Sequence, residues 1–92
     1  MTTDVQGRRR RSSRNKILKD RVDRLLAILP ERTERTLGYD TPQMVRATGD
    51  NDLGVAQAWA ILETLEREGR CASVYGIMKK SGRTIRYWHR PA

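Results

Sequence analysis

The residues that decide the fold run from Leu62 to Arg90 and read LETLEREGRCASVYGIMKKSGRTIRYWHR. Leu62 and Leu65 continue a helical spacing of apolar residues, and Gly69 is suited to end that helix because glycine adopts left-handed backbone at little cost. The two runs that follow are rich in Val, Ile, Tyr, Trp and Thr, which favour strands. Between them lies the basic connection Lys79 to Arg83. This stretch therefore predicts a helix followed by a β-hairpin with a positively charged tip.

An earlier helix is predicted from apolar residues that recur at intervals of four, three and four, which mark one helix face. They are Leu18, Val22, Leu25 and Leu29. Pro30 ends this helix because proline disfavours helical geometry in the residue before it. The residues from Glu31 to Asp40 read as a loop, with a short strand predicted at Thr36-Leu37.

A short second helix is predicted between Thr41, which would cap it, and Gly49, which would end it. Pro42 suits the first helical position, where its missing amide costs nothing. The turn Asp50-Asn51-Asp52 leads to the third helix, which is predicted from Leu53 to Glu68 and capped by one of the three turn residues.

The third helix has one apolar face and one face of small or polar residues. With about 100° per residue, the inward face holds Gly54, Val55, Ala58, Ile61, Leu62 and Leu65. The outward face holds Leu53, Ala56, Gln57, Ala60, Thr64 and Arg67. Trp59 lies at the edge and is expected to be half covered. There is no Lys or Arg from Ala47 to Glu66, so the centre of this helix carries no positive charge.

The net charge of the 92-residue chain is +8, and it is unevenly distributed. Residues 1–16 carry +5, residues 17–30 carry +1, residues 31–69 carry −4 and residues 70–92 carry +6. Two basic ends favour a polyanionic partner, because each neutralised phosphate releases a counterion. Nucleic acid is therefore the partner that the charge distribution favours.

Residues 1–14 form a polar, arginine-rich segment that we expect to be a disordered arm. It precedes a folded domain of residues 15–90. The arm contains Arg8, Arg9, Arg10, Arg11 and Arg14. Such a segment either keeps the protein in solution or binds a nucleic-acid backbone or minor groove, and guanidinium groups suit the second role because they pair with phosphate in two-pronged fashion.

Helix, turn, helix and basic hairpin in this order resemble the winged helix-turn-helix domains of bacterial transcription regulators of the MarR and GntR kind. The resemblance covers roughly Lys16 to Arg90. It implies an α+β fold, a small winged helix with three helices and a C-terminal β-hairpin wing. It also implies binding to double-stranded DNA, with the recognition helix 53–68 in the major groove and the wing 79–83 on the flanking backbone. A transcriptional repressor or DNA-organising factor of a bacterium, plasmid or phage is the expected function.

The DNA contacts expected from this resemblance combine the arm, the outward helix face and the wing. Gln57 is the helix residue that can form a paired hydrogen bond, and adenine is its usual partner. Thr64, further along the helix, is expected to lie nearer the DNA backbone. The candidate DNA-binding residues are Arg8, Arg9, Arg10, Arg11, Arg14, Gln57, Thr64, Lys79, Lys80, Arg83 and Arg86.

Other partners stay open at this point. The uncharged outward helix face can instead meet a protein inside a plasmid or phage replication, partition or transfer complex, because an apolar patch there would favour it. The patch comprises Leu53, Ala56, Trp59 and Ala60. The arm can instead fold on RNA. A homodimer is also expected, since many such regulators read two half-sites.

The sequence disfavours catalysis, metal binding and membrane insertion. Cys71 and His89 are the only residues of their kinds, so this chain cannot supply four Cys and His ligands to zinc, and no acid close in sequence orients a Cys–His pair. We expect no enzyme activity and no cofactor. The longest apolar run, Leu25 to Leu29, is far too short to span a bilayer, so we expect a cytoplasmic, nucleoid-associated protein.

Overall fold

The computed structural model describes residues 16–91. Within them the chain forms three helices and a three-stranded antiparallel sheet, an α+β domain compatible with a winged-helix-like fold, so the predicted fold class is confirmed. In chain order, the elements are α1 (residues 16–28), β1 (Tyr39–Asp40), α2 (Thr41–Thr48), α3 (Val55–Arg67), β2 (Ala72–Ile77) and β3 (Thr84–His89).

The sheet has the strand order β1-β3-β2, and β1 pairs with β3 through Tyr39 and Trp88. The short strand predicted at Thr36-Leu37 therefore lies three residues later, at Tyr39–Asp40. Gly38 explains the shift, because its φ of +124° and its approach to Trp88 leave no room for a side chain: a Cβ there would lie 2.2 Å from the Trp88 carbonyl oxygen. Pairing begins only after this close approach.

Helix α2 is capped by Asp40 and not, as predicted, by Thr41. Asp40 Oδ1 accepts from the Gln43 amide at 2.8 Å, and Gln43 Oε1 accepts from the Asp40 amide at 2.9 Å, which is a reciprocal capping box. Thr41 is buried instead, and its hydroxyl oxygen accepts from Trp88 Nε1 at 2.9 Å. Gly49 ends the helix in the predicted left-handed conformation, with φ of +70°.

Helix α3 begins two residues later than predicted, and this changes which residues face outward. Its N-cap is Gly54, whose amide donates to Gln57 Oε1 at 3.1 Å, so the prediction that one of Asp50, Asn51 and Asp52 caps the helix is wrong. Leu53 precedes the helix, and its side chain enters the core with 4% exposure, although it was predicted outward. Gly54 and Val55, predicted inward, are exposed.

The turn before α3 is tied to α1. The carboxylate of Asp50 pairs with Arg21 at 3.2 Å and also accepts from the Asp52 amide at 2.9 Å. The amide hydrogen bond lowers the pKa of Asp50, and Arg21 acts in the same direction against partial burial. The acid thus holds the turn in place and is not a helix cap.

The core lies between the three helices and the inner face of the sheet. Its buried side chains include Leu25 of α1, Leu29 directly after α1, Met44 of α2, Leu62 of α3 and Trp88 of β3. Gly69 ends α3 with φ of +76°, and the chain turns there into β2. Between residues 16 and 91, no helix combines the length and the apolar composition that a membrane span requires.

Candidate nucleic-acid interface

The hairpin of β2 and β3 presents the predicted basic tip. The Met78 amide donates to the Arg83 carbonyl at 2.9 Å, and the Gly82 amide donates to the Met78 carbonyl at 2.8 Å. Gly82 has φ of +68°, which the turn requires and glycine provides. The side chains of Lys79 and Lys80 are exposed on this turn, as is Arg83. The wing loop therefore holds three cations close together in solvent.

Ion pairing separates the six cations of residues 70–92 into two groups of three. The first group has acidic partners: Arg70 with Glu68 at 3.8 Å, Arg86 with Glu66 at 2.8 Å, and Arg90 with Glu31 at 4.0 Å. The second group makes no ion pair with any acid of the described residues. It consists of Lys79, Lys80 and Arg83, the cations of the wing loop.

Arg86, expected among the phosphate contacts, is held inside the protein. Its side chain is 11% exposed, and its guanidinium bonds Glu66 Oε1 at 2.8 Å and Ser73 Oγ at 3.0 Å. The group also lies 4.3 Å from the ring centre of Trp88 and 4.9 Å from that of Trp59. Arg86 therefore joins β3 to α3, and its contact with DNA stays a prediction.

The exposed face of α3 consists of small and polar side chains. Ala56, Gln57, Ala60 and Thr64 are all exposed. Gln57 Oε1 accepts from the Gly54 amide, so the carboxamide nitrogen is the part of this side chain left for a ligand. The Thr64 hydroxyl donates to the Ala60 carbonyl at 3.1 Å, within the helix. The face is therefore smooth and offers few hydrogen-bonding groups.

The predicted apolar patch for a protein partner does not form as a continuous surface. Leu53 is buried, and Trp59 is half-buried between Arg86 and the edge of the Trp88 ring, whose centre lies 5.6 Å away. The indole nitrogen of Trp59 donates to Glu63. What remains exposed are the methyl groups of two alanines, too little to form the patch.

An open groove of about 400 Å³ lies between α3 and the hairpin. Val55 and Trp59 line it from the helix, and Tyr75, Met78 and Arg83 line it from the hairpin. The groove separates the outward face of α3 from the wing loop. The outward face of α3 and the wing loop can therefore contact two separate parts of one extended ligand.

The two residues considered for nucleophilic chemistry are both buried. Burial, with the nearby charge of Glu66, raises the pKa of the Cys71 thiol to about 11, and its Sγ–H donates to the Leu62 carbonyl at 3.4 Å. The imidazole of His89 hydrogen-bonds the Arg90 carbonyl at 2.7 Å. Among residues 16–91, no group of three or more His, Cys, Asp or Glu side chains is placed to hold a metal ion.

The predicted arm cations fall outside the described residues. They are Arg8, Arg9, Arg10, Arg11 and Arg14, and the boundary predicted between the arm at residues 1–14 and the domain at residues 15–90 falls there too. The chain matches no protein-family model, and no curated protein or solved structure shows significant similarity to it.

Proposed function

We propose that the chain binds double-stranded DNA, with the outward face of α3 in the major groove and the wing loop on the flanking backbone. This proposal rests on one observation: within residues 16–91, ion pairs form with only three of the six cations of residues 70–92. The cations near the body of the domain have acidic partners, whereas Lys79, Lys80 and Arg83 at the hairpin tip do not. Concentrated and unpaired positive charge on a projecting turn fits a phosphate backbone.

The shape of α3 supports the same proposal. Small side chains at Ala56 and Ala60 allow the helix backbone to approach base edges closely, and their methyl groups can contact thymine methyls. The carboxamide nitrogen of Gln57 can donate to a base. With so few polar groups on this face, discrimination between sequences is modest, and part of it comes from DNA shape.

The acids of α3 are compatible with this placement. Glu63 and Glu66 face the hairpin, where both pair with Arg86, at 3.9 and 2.8 Å. Glu63 also pairs with the exposed Arg67 at 4.0 Å, so these two acids face two arginines. Their charge is therefore balanced locally and does not dominate the surface that would face phosphates.

Within this proposal the protein acts as a transcriptional repressor or DNA-organising factor, in the manner of the winged helix-turn-helix regulators of the MarR and GntR kind, and it associates with the nucleoid. The arginines of residues 1–14 would add backbone contacts.

The salt dependence of duplex binding tests the wing. We expect the triple change Lys79→Gln, Lys80→Gln and Arg83→Gln to reduce the slope of log affinity against log salt by about 3, close to one per lost phosphate contact. The matched control is Arg70→Gln, which removes a cation already paired with Glu68. The control should leave the slope unchanged.

Two results would overturn the proposal. One is equal slopes for the wild-type protein and the triple variant, which would mean that the wing touches no phosphate. The other is the absence of duplex binding at low salt.

The same titration, carried out on a selected site and on random duplex, tests the role of Gln57. The change Gln57→Ala should cost ~1–3 kcal/mol of binding free energy on the selected site only.

A further inference from the structure

The outer edge of β2 is open. Strand β2 pairs with β3 on one side only, and β3 lies between β2 and β1. No other strand of the described residues pairs with the free side of β2. An edge of this kind presents a row of unpaired amides and carbonyls, which can receive another extended chain.

The backbone groups that face this edge follow from the register. Met78 bonds Arg83 directly across the hairpin. Bonding alternates along an antiparallel ladder, so the intervening residues of β2 point their amides and carbonyls away from β3. These are Ser73, Tyr75 and Ile77. The same alternation makes every second residue of β3, from Thr84 to Trp88, point its amide and carbonyl away from β2. Arg90 continues this series, and its amide donates to the Pro30 carbonyl on the side of β3 opposite to β2, which agrees with the assignment.

The side chains of this edge leave it unprotected. Natural edge strands are commonly blocked by charged residues, proline or bulges. Residues 71–78 contain no charge and no proline, and the pairing of β2 with β3 is continuous. Tyr75 is 61% exposed and Ile77 is 74% exposed, both on the helix-facing side of the hairpin. The edge therefore offers backbone hydrogen bonds together with apolar contact area.

The charges at both ends of β2 indicate what would bind there. Arg70 precedes the strand and pairs with Glu68 at 3.8 Å, whereas Lys79 and Lys80, which follow it, have no acidic partner among the described residues. A second copy in antiparallel pairing centred on Tyr75 would place Cys71 and Arg70 opposite Lys79 and Lys80, so it would bring no acid to these two lysines. A strand with an uncharged centre and an acidic end would instead place that end opposite Lys79 and Lys80.

We infer that the β2 edge binds an extended peptide segment of another protein by adding it as a fourth strand. This segment has uncharged alternating residues at its centre and acidic residues at the end that lies opposite Lys79 and Lys80. Backbone hydrogen bonds to Ser73, Tyr75 and Ile77 supply affinity, and side chains above Tyr75 and Ile77 supply selectivity, as in other cases of strand addition. This inference does not depend on DNA binding.

The probe is the fluorescein-labelled peptide Glu-Glu-Val-Thr-Val-Thr-Val-Glu-Glu, titrated with the full chain at physiological salt and followed by fluorescence anisotropy. Two control peptides carry the same label. In one, lysines replace the glutamates; in the other, alternate backbone amides are N-methylated to remove the donors. Saturable binding of the first peptide, with weak or no binding of both controls, is the expected result.

Two variants at Tyr75 separate backbone from side-chain contributions. Tyr75→Pro removes the outward amide without removing a bond to β3, and Tyr75→Ala keeps that amide. Both lose the same aromatic ring, so the further loss in Tyr75→Pro measures the backbone contact. We expect it to be about tenfold, the net value of one hydrogen bond. Circular dichroism checks that both variants fold, and hydrogen exchange of Ile77, whose amide the variants keep, should slow when the peptide binds.

Several outcomes would overturn the inference. Equal affinity of Tyr75→Pro and Tyr75→Ala, or equal binding of the N-methylated peptide, would mean that charge alone holds the probe. No measurable binding of the first peptide would also overturn it. A concentration-dependent dimer that Tyr75→Pro abolishes, detected by sedimentation, would make a second copy the occupant of the edge.

Discussion

Replacing Arg86 by alanine removes the guanidinium that joins the hairpin to α3. The charge-assisted bond to Glu66, at 2.8 Å, contributes about 1.5 kcal/mol, the lower end of its range because Glu66 is 35% exposed. The cation–π contact with buried Trp88, at 4.3 Å, adds about 1 kcal/mol. The bond to Ser73 adds about 0.5 kcal/mol. We therefore expect the free energy of unfolding to fall by about 3 kcal/mol.

Urea denaturation followed by tryptophan fluorescence measures this loss, since both indoles lie beside Arg86. Arg86→Lys keeps the charge but not the planar fork or the stacking, so about half of the loss should remain. A double-mutant cycle with Glu66→Gln should give a coupling energy of about 1–2 kcal/mol. These values distinguish the ion pair from simple loss of packing.

Two results would refute this account of Arg86. One is a destabilisation of less than about 1 kcal/mol in Arg86→Ala, which is the range of exposed ion pairs. The other comes from DNA binding by Arg86→Gln, which removes the charge, once circular dichroism has shown that this variant is folded. If the salt slope of duplex affinity then falls by about one, Arg86 would be a phosphate contact and not an internal one.

Three further predictions concern single sites. Gly38→Ala should destabilise the fold by about 2 kcal/mol or more in urea, because its Cβ would lie 2.2 Å from the Trp88 oxygen at positive φ, whereas Gly69→Ala, with open space around it, should cost about 1 kcal/mol. Thr41→Val should cost ~1–3 kcal/mol by the same measurement, since the buried Trp88 indole loses its acceptor; a neutral change would mean that water replaces the hydroxyl. The pKa of Cys71 is raised from 9.0 to about 11, so the folded state keeps its proton longer than the unfolded state, and stability should decline as the pH rises through that interval. Iodoacetamide at pH ~8.5 should label the unfolded thiol much faster than the native one, and equal rates would contradict the burial.

Local signals in the sequence predicted the elements that end on glycine or proline. Gly49 and Gly69 fix the ends of α2 and α3 because the chain must turn there with positive φ. The strand-forming composition after Gly69 predicted the hairpin, and its basic turn predicted the wing. Each of these signals acts over a few residues, so tertiary contacts did not change the outcome.

Helix starts were less predictable because neighbouring residues compete to cap them. Asp40 and Thr41 are both good caps, and the buried bond from Trp88 to Thr41 leaves Asp40 for the capping role. At α3 the cap is made by Gln57 reaching back to Gly54, which releases Leu53 into the core. The prediction begins the helix at Leu53, and helical periodicity from that start places Leu53 on the outward face.

The role of Arg86 and the exposure of Tyr75 and Ile77 depend on tertiary contacts. Alternation along β2 and β3 places these three residues on one face of the hairpin but does not say how far α3 covers it. In the structure, α3 covers the end that holds Arg86 and leaves Ile77 in solvent. Sequence alone also does not show that Glu66 lies within reach of a residue twenty positions later.

Residues 31–69 carry a net charge of −4 between two basic ends of the chain, and acids among them pair with cations of residues 70–92. In the structure, Glu66 and Glu68 neutralise Arg86 and Arg70, two cations that would otherwise widen the positive surface of the hairpin. The acids thereby leave the wing loop as the place where the unpaired charge of residues 70–92 is concentrated. In the proposed DNA complex, charge concentrated at this hairpin tip would favour one docking orientation, because a duplex backbone contacts a protein at discrete phosphates.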